Sequence, residues 1–131
     1  MAKPLAILLC SGEHEKIQMA AMMASIAAVS DRRASIFISM NAVYSFLERP
    51  VNQIRYSGKQ FSNLMLEKNV PDAIDLLRQG KELGELSIYI CSMALDVTEF
   101  DISQMVPEVI DDVIGLTKFL SDSEEAQLVV F

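Results

Sequence analysis

The chain has 131 residues, 51% of them hydrophobic and 22% charged, and a formal net charge of −7. That length supports one domain over residues 1–131 with a core of its own, and the composition excludes a disordered chain. The acidity argues against nucleic acid as a partner, because binding phosphates requires a basic face.

Much of the charge imbalance lies late in the chain. Asp96, Glu99, Asp101, Glu108, Asp111, Asp112, Asp122, Glu124 and Glu125 face only Lys118 there. A solvated acidic surface accounts for them.

The opening MAKPLAILLC has too short an apolar run for an export signal and passes straight into the polar Ser11-Gly12-Glu13-His14-Glu15. No segment approaches the roughly 20 apolar residues that span a bilayer, so membrane insertion is not expected. The expectation is a cytoplasmic protein with reduced thiols, in which two cysteines far apart in sequence are not a disulfide framework.

In chain order, Leu5 to Cys10 (LAILLC) is an apolar run of strand length closed by the turn signal Ser11-Gly12. Glu15 to Ser30, rich in Ala and Met and free of Gly and Pro, predicts the first helix. Its few polar positions call for cover on more than one side, by the sheet and by a second subunit. The methionines, including Met19, Met22, Met23 and Met93, are expected to fill core. Asp31-Arg32-Arg33 breaks the helix, and Ala34 to Ser39 (ASIFIS) supplies a second strand.

A short helical piece over Asn41 to Leu47 stops before Pro50. Arg49 to Asn69 is expected to be a polar connection, with a helical turn over Phe61 to Leu66, and segments of this kind are often lids or binding loops. Arg49, Arg55, Lys59 and Lys68 outnumber Glu48 and Glu67 in it, a local surplus suited to a small anion. Pro71 is expected at the first position of a helix ending near Gly80 or Gly84.

Leu86 to Cys91 is the third strand and Ser92 begins a helix. A short turn over Ser103 to Val106 precedes Pro107. Asp112 to Leu116 is the fourth strand, Thr117 caps a helix reaching Glu125, and Gln127 to Phe131 is the fifth strand. Strands alternating with helices predict an α/β fold of three layers, α/β/α, in which a mostly parallel sheet of about five strands is flanked by helices.

In such sheets ligands bind beyond the carboxyl ends of the strands. Cys91 lies at such an end, where unpaired backbone N–H groups favour the thiolate that attacks sulfur. Ser92 is placed to cap the helix or donate to a bound sulfur anion, and the N–H groups near Ser92 and Met93 are placed to stabilise it. Cys10, followed by Ser11 and Gly12, ends the first strand on the same edge, and the sole histidine, His14, is expected in the loop there as a base toward a thiol.

Other chemistries lack their motifs. There is no GxGxxG, no GxxxxGK[ST] and no CxxC. Cys10, Glu13, His14 and Cys91 lack the close Cys/His pairing of a zinc site, so neither a metal nor a cofactor is expected.

The ordered set of an initial strand ending in CSG, an Ala-rich first helix, IYICSMALDV from Ile88 to Val97 and VIGLTKFLSDSEEAQLVVF from Val113 to Phe131 resembles the DsrE/DsrF-like family. The closest likeness is to its branch often labelled peroxiredoxin-like. The resemblance spans nearly the whole chain. It implies a small cytoplasmic homo-oligomer that carries sulfur, with Cys91 at the position of the cysteine that accepts sulfane sulfur as a persulfide or binds thiosulfate. Sulfur donor and acceptor proteins, or small sulfur anions, are then the expected partners. A non-enzymatic oligomeric binding module with a packed Cys91, and a thiol peroxidase with Cys10 resolving Cys91, remain alternatives.

Overall fold

The computed structural model describes residues 2–50 and 53–131. Five strands form one sheet: β1 (Leu5–Leu9), β2 (Ala34–Ile38), β3 (Leu86–Cys91), β4 (Asp112–Ile114) and β5 (Gln127–Val130). Their order is β4-β3-β2-β1-β5, and every pairing is parallel. The central strands are largely apolar, interrupted only by Ser35 and Ser87, because a parallel sheet is covered on both faces. The expected α/β/α layering with a parallel sheet of five strands is what the chain forms.

The register matches Leu5, Ile7 and Leu9 with Ala34, Ile36 and Ile38, and these with Leu86, Ile88 and Ile90. All nine are buried. This face carries α1 (His14–Val29) and α3 (Ala73–Leu83), which pack on one another. The opposite face carries Phe37 and Tyr89 beneath Phe119 of α5 (Leu116–Asp122), with the Phe37 and Phe119 ring centroids 5.2 Å apart.

The alanines of α1 are explained by how closely α3 approaches. A Cβ at Gly80 would lie 3.2 Å from Ser25 Cα, and one at Gly84 would overlap the Ala28 carbonyl. Only small side chains fit where the chain comes this close, at Ser25 and Ala28, and Ala20, Ala21, Ala24 and Ala27 of α1 are buried as well. Of the methionines expected in the core, Met65 and Met105 are buried, Met23 is half-buried, and Met19, Met22, Met40 and Met93 are exposed. Met19, Met22, Ile26 and Val29 form an exposed stripe along α1, at helical spacing.

Several boundaries differ from those expected. The connection after Pro50 contains a full helix, α2 (Gln60–Glu67), which buries only Ser62 and Met65 and so leaves a weak apolar pattern in the sequence. Residues Met40–Phe46 form a 3₁₀ segment, and a second one spans Ile102–Gln104. Pro71 precedes the cap of α3, because Asp72 is the cap and accepts the Ile74 and Asp75 N–H groups at 3.0 and 3.3 Å. Gly115, rather than Thr117, caps α5.

His14 is the first residue of α1 and not part of a loop. Its Nδ1 lies 2.7 Å from Ser62 Oγ, and its ring stacks on Tyr56 at 4.2 Å with 4° between planes. Its backbone N–H donates to the Ser57 carbonyl at 3.0 Å. Glu15 Oε2 accepts the Lys59 and Ser62 N–H groups at 2.9 and 3.0 Å. Gly58 makes room for this, since a Cβ there would overlap the Glu15 carboxylate. These contacts bind residues 56–62 to the start of α1.

Burial pushes the His14 pKa below its ordinary 6.5, against the opposing pull of the Glu15 and Asp72 charges. Burial acts to raise the Glu15 pKa, but the hydrogen bonds it accepts outweigh that and hold it below 4.5. A histidine whose pKa is lowered by folding contributes stability in full above the unfolded value and loses it as pH falls below 6.5, because the unfolded chain takes the proton first. Glu15 adds a second loss at lower pH, as its own folded value is crossed.

His14 is the only histidine. Unfolding free energy measured by urea denaturation should therefore fall between about pH 7 and pH 5.5 by up to about 1.4 kcal/mol per pH unit, the limit for one proton. His14→Gln should be less stable at pH 7.5 and lack that slope. A flat wild-type profile would mean that folding leaves the His14 pKa unshifted.

Candidate functional site

Because all strands run the same way, β1, β2 and β3 end on one edge. The register that aligns Leu9, Ile38 and Ile90 brings the next residues, Cys10, Ser39 and Cys91, to one level. Cys91 closes β3 and alternates onto the face of Phe37 and Tyr89. Both cysteines are free thiols. Neighbouring strands lie about 4.8 Å apart, so two thiol-bearing strands separated by β2 stand about 10 Å apart at Cα. A disulfide needs roughly 7 Å or less, and joining Cys10 to Cys91 therefore requires backbone movement.

Cys91 is 4% exposed. It is also the N-cap of α4 (Ser92–Thr98), and its Sγ accepts the Ala94 N–H at 3.4 Å. The sequence placed Ser92 as the cap and aimed the N–H groups near Ser92 and Met93 at the sulfur. The strand ends at Cys91 and the helix begins at Ser92, as expected, but the cap is Cys91 itself and the donor falls three positions after the thiol. Ser92 is half-buried, and Met93 projects from the same first turn with 48% of its surface exposed.

Cys10 is half-buried. Burial pushes its thiol pKa up, and the neighbouring Cys91 adds to the rise. Its N–H donates to the Phe131 carbonyl at 2.8 Å, and its carbonyl accepts the Ala42 N–H at 3.2 Å. Ser11 also donates its N–H to Phe131, at 3.3 Å, and accepts the Glu13 N–H on Oγ at 3.0 Å. Gly12 passes close to the 3₁₀ segment, where a Cβ would lie 3.0 Å from the Asn41 carbonyl oxygen. The β1–α1 turn is thus pinned between β5 and the residues after β2.

His14 faces other partners than the thiols. With Gln18, Tyr56 and Asp72 it lines a small cavity of about 190 Å³. Ser11 and Gly12 line a larger hollow of about 650 Å³ together with Asn41, Tyr44, Arg49, Arg55 and Lys59. The surplus of cations after Glu48 therefore has a definite place, beside the Cys10 turn.

Sequence reasoning missed Ser39, which ends ASIFIS as Cys10 ends LAILLC, and that parallel was the available signal. It also missed Ala94, whose side chain gives no sign of the backbone donor it carries. Among the described residues no group of three or more His, Cys, Asp or Glu side chains is placed to hold a metal ion. No described helix is long and apolar enough to cross a membrane.

No curated protein matches the chain. Among solved structures it is similar to MTH1491, a protein of unknown function from Methanobacterium thermoautotrophicum. The identity is 12%, the match covers 99% of this chain and 100% of the other, and the TM-score is 0.64. At that identity the likeness concerns the fold. The DsrE/DsrF-like family matches over residues 3–130, which is consistent with a sulfur-related function. With its parallel sheet and the sequence features from Leu5 to Phe131, the chain belongs to the DsrE/DsrF-like family.

Proposed function

We propose that this single DsrE/DsrF-like domain is a sulfur carrier that loads sulfane sulfur on Cys91 and passes it to an acceptor thiol. The observation that carries the reading is the position of Cys91 Sγ at a strand's carboxyl end, held by the Ala94 N–H. Such a donor stabilises negative charge on Sγ when it attacks as thiolate and again when it leaves as thiolate on unloading.

With thiosulfate, the Cys91 thiolate forms a new S–S bond to the outer sulfur while the bond to the sulfite group breaks. Sulfite leaves with the electron pair, and Cys91 keeps a persulfide. In unloading, an acceptor thiolate attacks the terminal sulfur and Cys91 departs as thiolate. Neither step requires an outside oxidant or a cofactor.

Ser92 and Met93 flank the loaded sulfur in the first turn of α4, and Cys10, Ser11 and Gly12 border the approach from the β1 end. His14, held by Ser62 and Tyr56, supports this edge through the turn rather than serving as a base. The cytoplasm, where thiols stay reduced, suits such a carrier.

A second reading has its own support. At 4% exposure Cys91 packs like a structural residue, which fits an oligomeric module that binds a ligand or partner without sulfur chemistry. Intact-mass spectrometry after incubation with thiosulfate, tetrathionate or a low-molecular-weight persulfide separates the two. The carrier gains a sulfur or thiosulfonate adduct in wild type and Cys10→Ala that vanishes in Cys91→Ala. No adduct on Cys91 with any donor leaves the binding module.

We also propose a homo-oligomer. Support comes from the stripe of Met19, Met22, Ile26 and Val29 on α1, side chains between 39% and 60% exposed. Sedimentation should find wild type larger than a single chain, and Met22→Glu with Ile26→Glu should shift it toward the monomer. A monomeric wild type at tens of micromolar would remove this reading.

A further inference from the structure

We infer that the hollow between the β1–α1 turn, the 3₁₀ segment at Met40–Phe46 and residues 53–59 binds an organic anion carrying two or more oxyanion groups. In a chain of net charge −7 this hollow is an island of the opposite sign. Arg49, Arg55 and Lys59 line it against a single carboxylate, Glu13. None of the three cations takes part in a salt bridge among the described residues.

The two guanidinium groups are already positioned. Arg49 donates from Nη1 to the Ile54 and Arg55 carbonyls at 3.0 and 2.9 Å, and from Nη2 to the Tyr44 carbonyl at 2.7 Å. Arg55 donates from Nη1 to the Ser45 and Leu47 carbonyls at 3.0 and 2.6 Å. Carbonyl oxygens orient a guanidinium without cancelling its charge. Both bonds of Arg55 leave from Nη1, so the N–H groups on Nη2 and Nε are left for a ligand, and a guanidinium fork fits carboxylate or phosphate oxygens two at a time.

Lys59 complements them. Its backbone N–H is bound by Glu15, which fixes its position, while its ammonium makes no hydrogen bond to a described residue. Two anchored cations and one ammonium without a described partner, with Tyr44 and Ile54 on the same walls, suit a ligand with separated negative groups on a compact body. The volume agrees: about 650 Å³ lies within the range of sites for small organic ligands and well above the needs of a bare ion.

Neither cysteine lines the hollow. Binding there needs no thiol, so it and sulfur loading can each fail alone even though Ser11 and Gly12 border both sites. Isothermal titration with citrate and with inorganic pyrophosphate, at matched ionic strength, tests the inference. Wild type and Cys91→Ala should bind at least one probe with equal affinity, weakening as salt is added. Lys59→Gln, whose side chain holds no part of the fold, should weaken binding roughly ten-fold, as loss of one charge-assisted contact does. Arg55→Gln should weaken it at least as much.

A preference for citrate identifies a polycarboxylate ligand and a preference for pyrophosphate a phosphorylated one. Both outcomes support the site. Binding of neither probe, or binding unchanged in Lys59→Gln and in Arg55→Gln, overturns it. The thermal melt of Lys59→Gln, expected to match wild type, shows that any loss is not one of folding.

Discussion

The parallel hydrogen-bond ladder is the constraint on which the rest of the structure depends. Strands that all run one way need a return connection along a sheet face after each strand. Both faces are thereby covered, and the central strands must be largely apolar. The same rule gathers the carboxyl ends of β1, β2 and β3 on one edge. Two cysteines distant in sequence are brought to one level by backbone pairing alone, and Ser39 is set between them.

The features legible in the sequence are those governed by this rule. The runs LAILLC, ASIFIS and LSIYIC announced the central strands to within a residue, because burial on both faces leaves few polar positions inside them, Ser35 and Ser87 only. The edge strand β4 and the helices that bury little were less sharply drawn. Helix α2 buries two residues of eight, so its pattern resembles a loop. The outward methionines of α1 were misjudged because the cause lies elsewhere in the chain, in the close approach of Gly80 to Ser25 and of Gly84 to Ala28, which leaves that face of α1 to small side chains.

The candidate site divides in the same way. That Cys91 ends a strand and starts a helix follows from local pattern. That its own sulfur caps the helix, in place of Ser92, depends on which way the Cys91 side chain turns at that boundary. The placement of His14 depended on Tyr56 and Ser62, more than 40 residues away, and no spacing rule reports such a contact. The segment that holds His14 also carries Arg55 and Lys59. The clamp made by His14 and Glu15 on this segment is therefore what turns a surplus of positive charge in the sequence into a lined hollow.

The position of β5 has a kinetic consequence. Leu5 pairs with Gln127, so β1 gains its second neighbour only when the far end of the chain arrives. Until then one side of β1 presents unpaired backbone donors and acceptors, flanked by some of the most apolar sequence in the protein. An open strand edge of this kind is a template for another chain, and long-range parallel pairing is slow to form. During synthesis the nascent chain is thus exposed to mispairing from its first strand onward, and the interval closes only when Gln127–Val130 has docked.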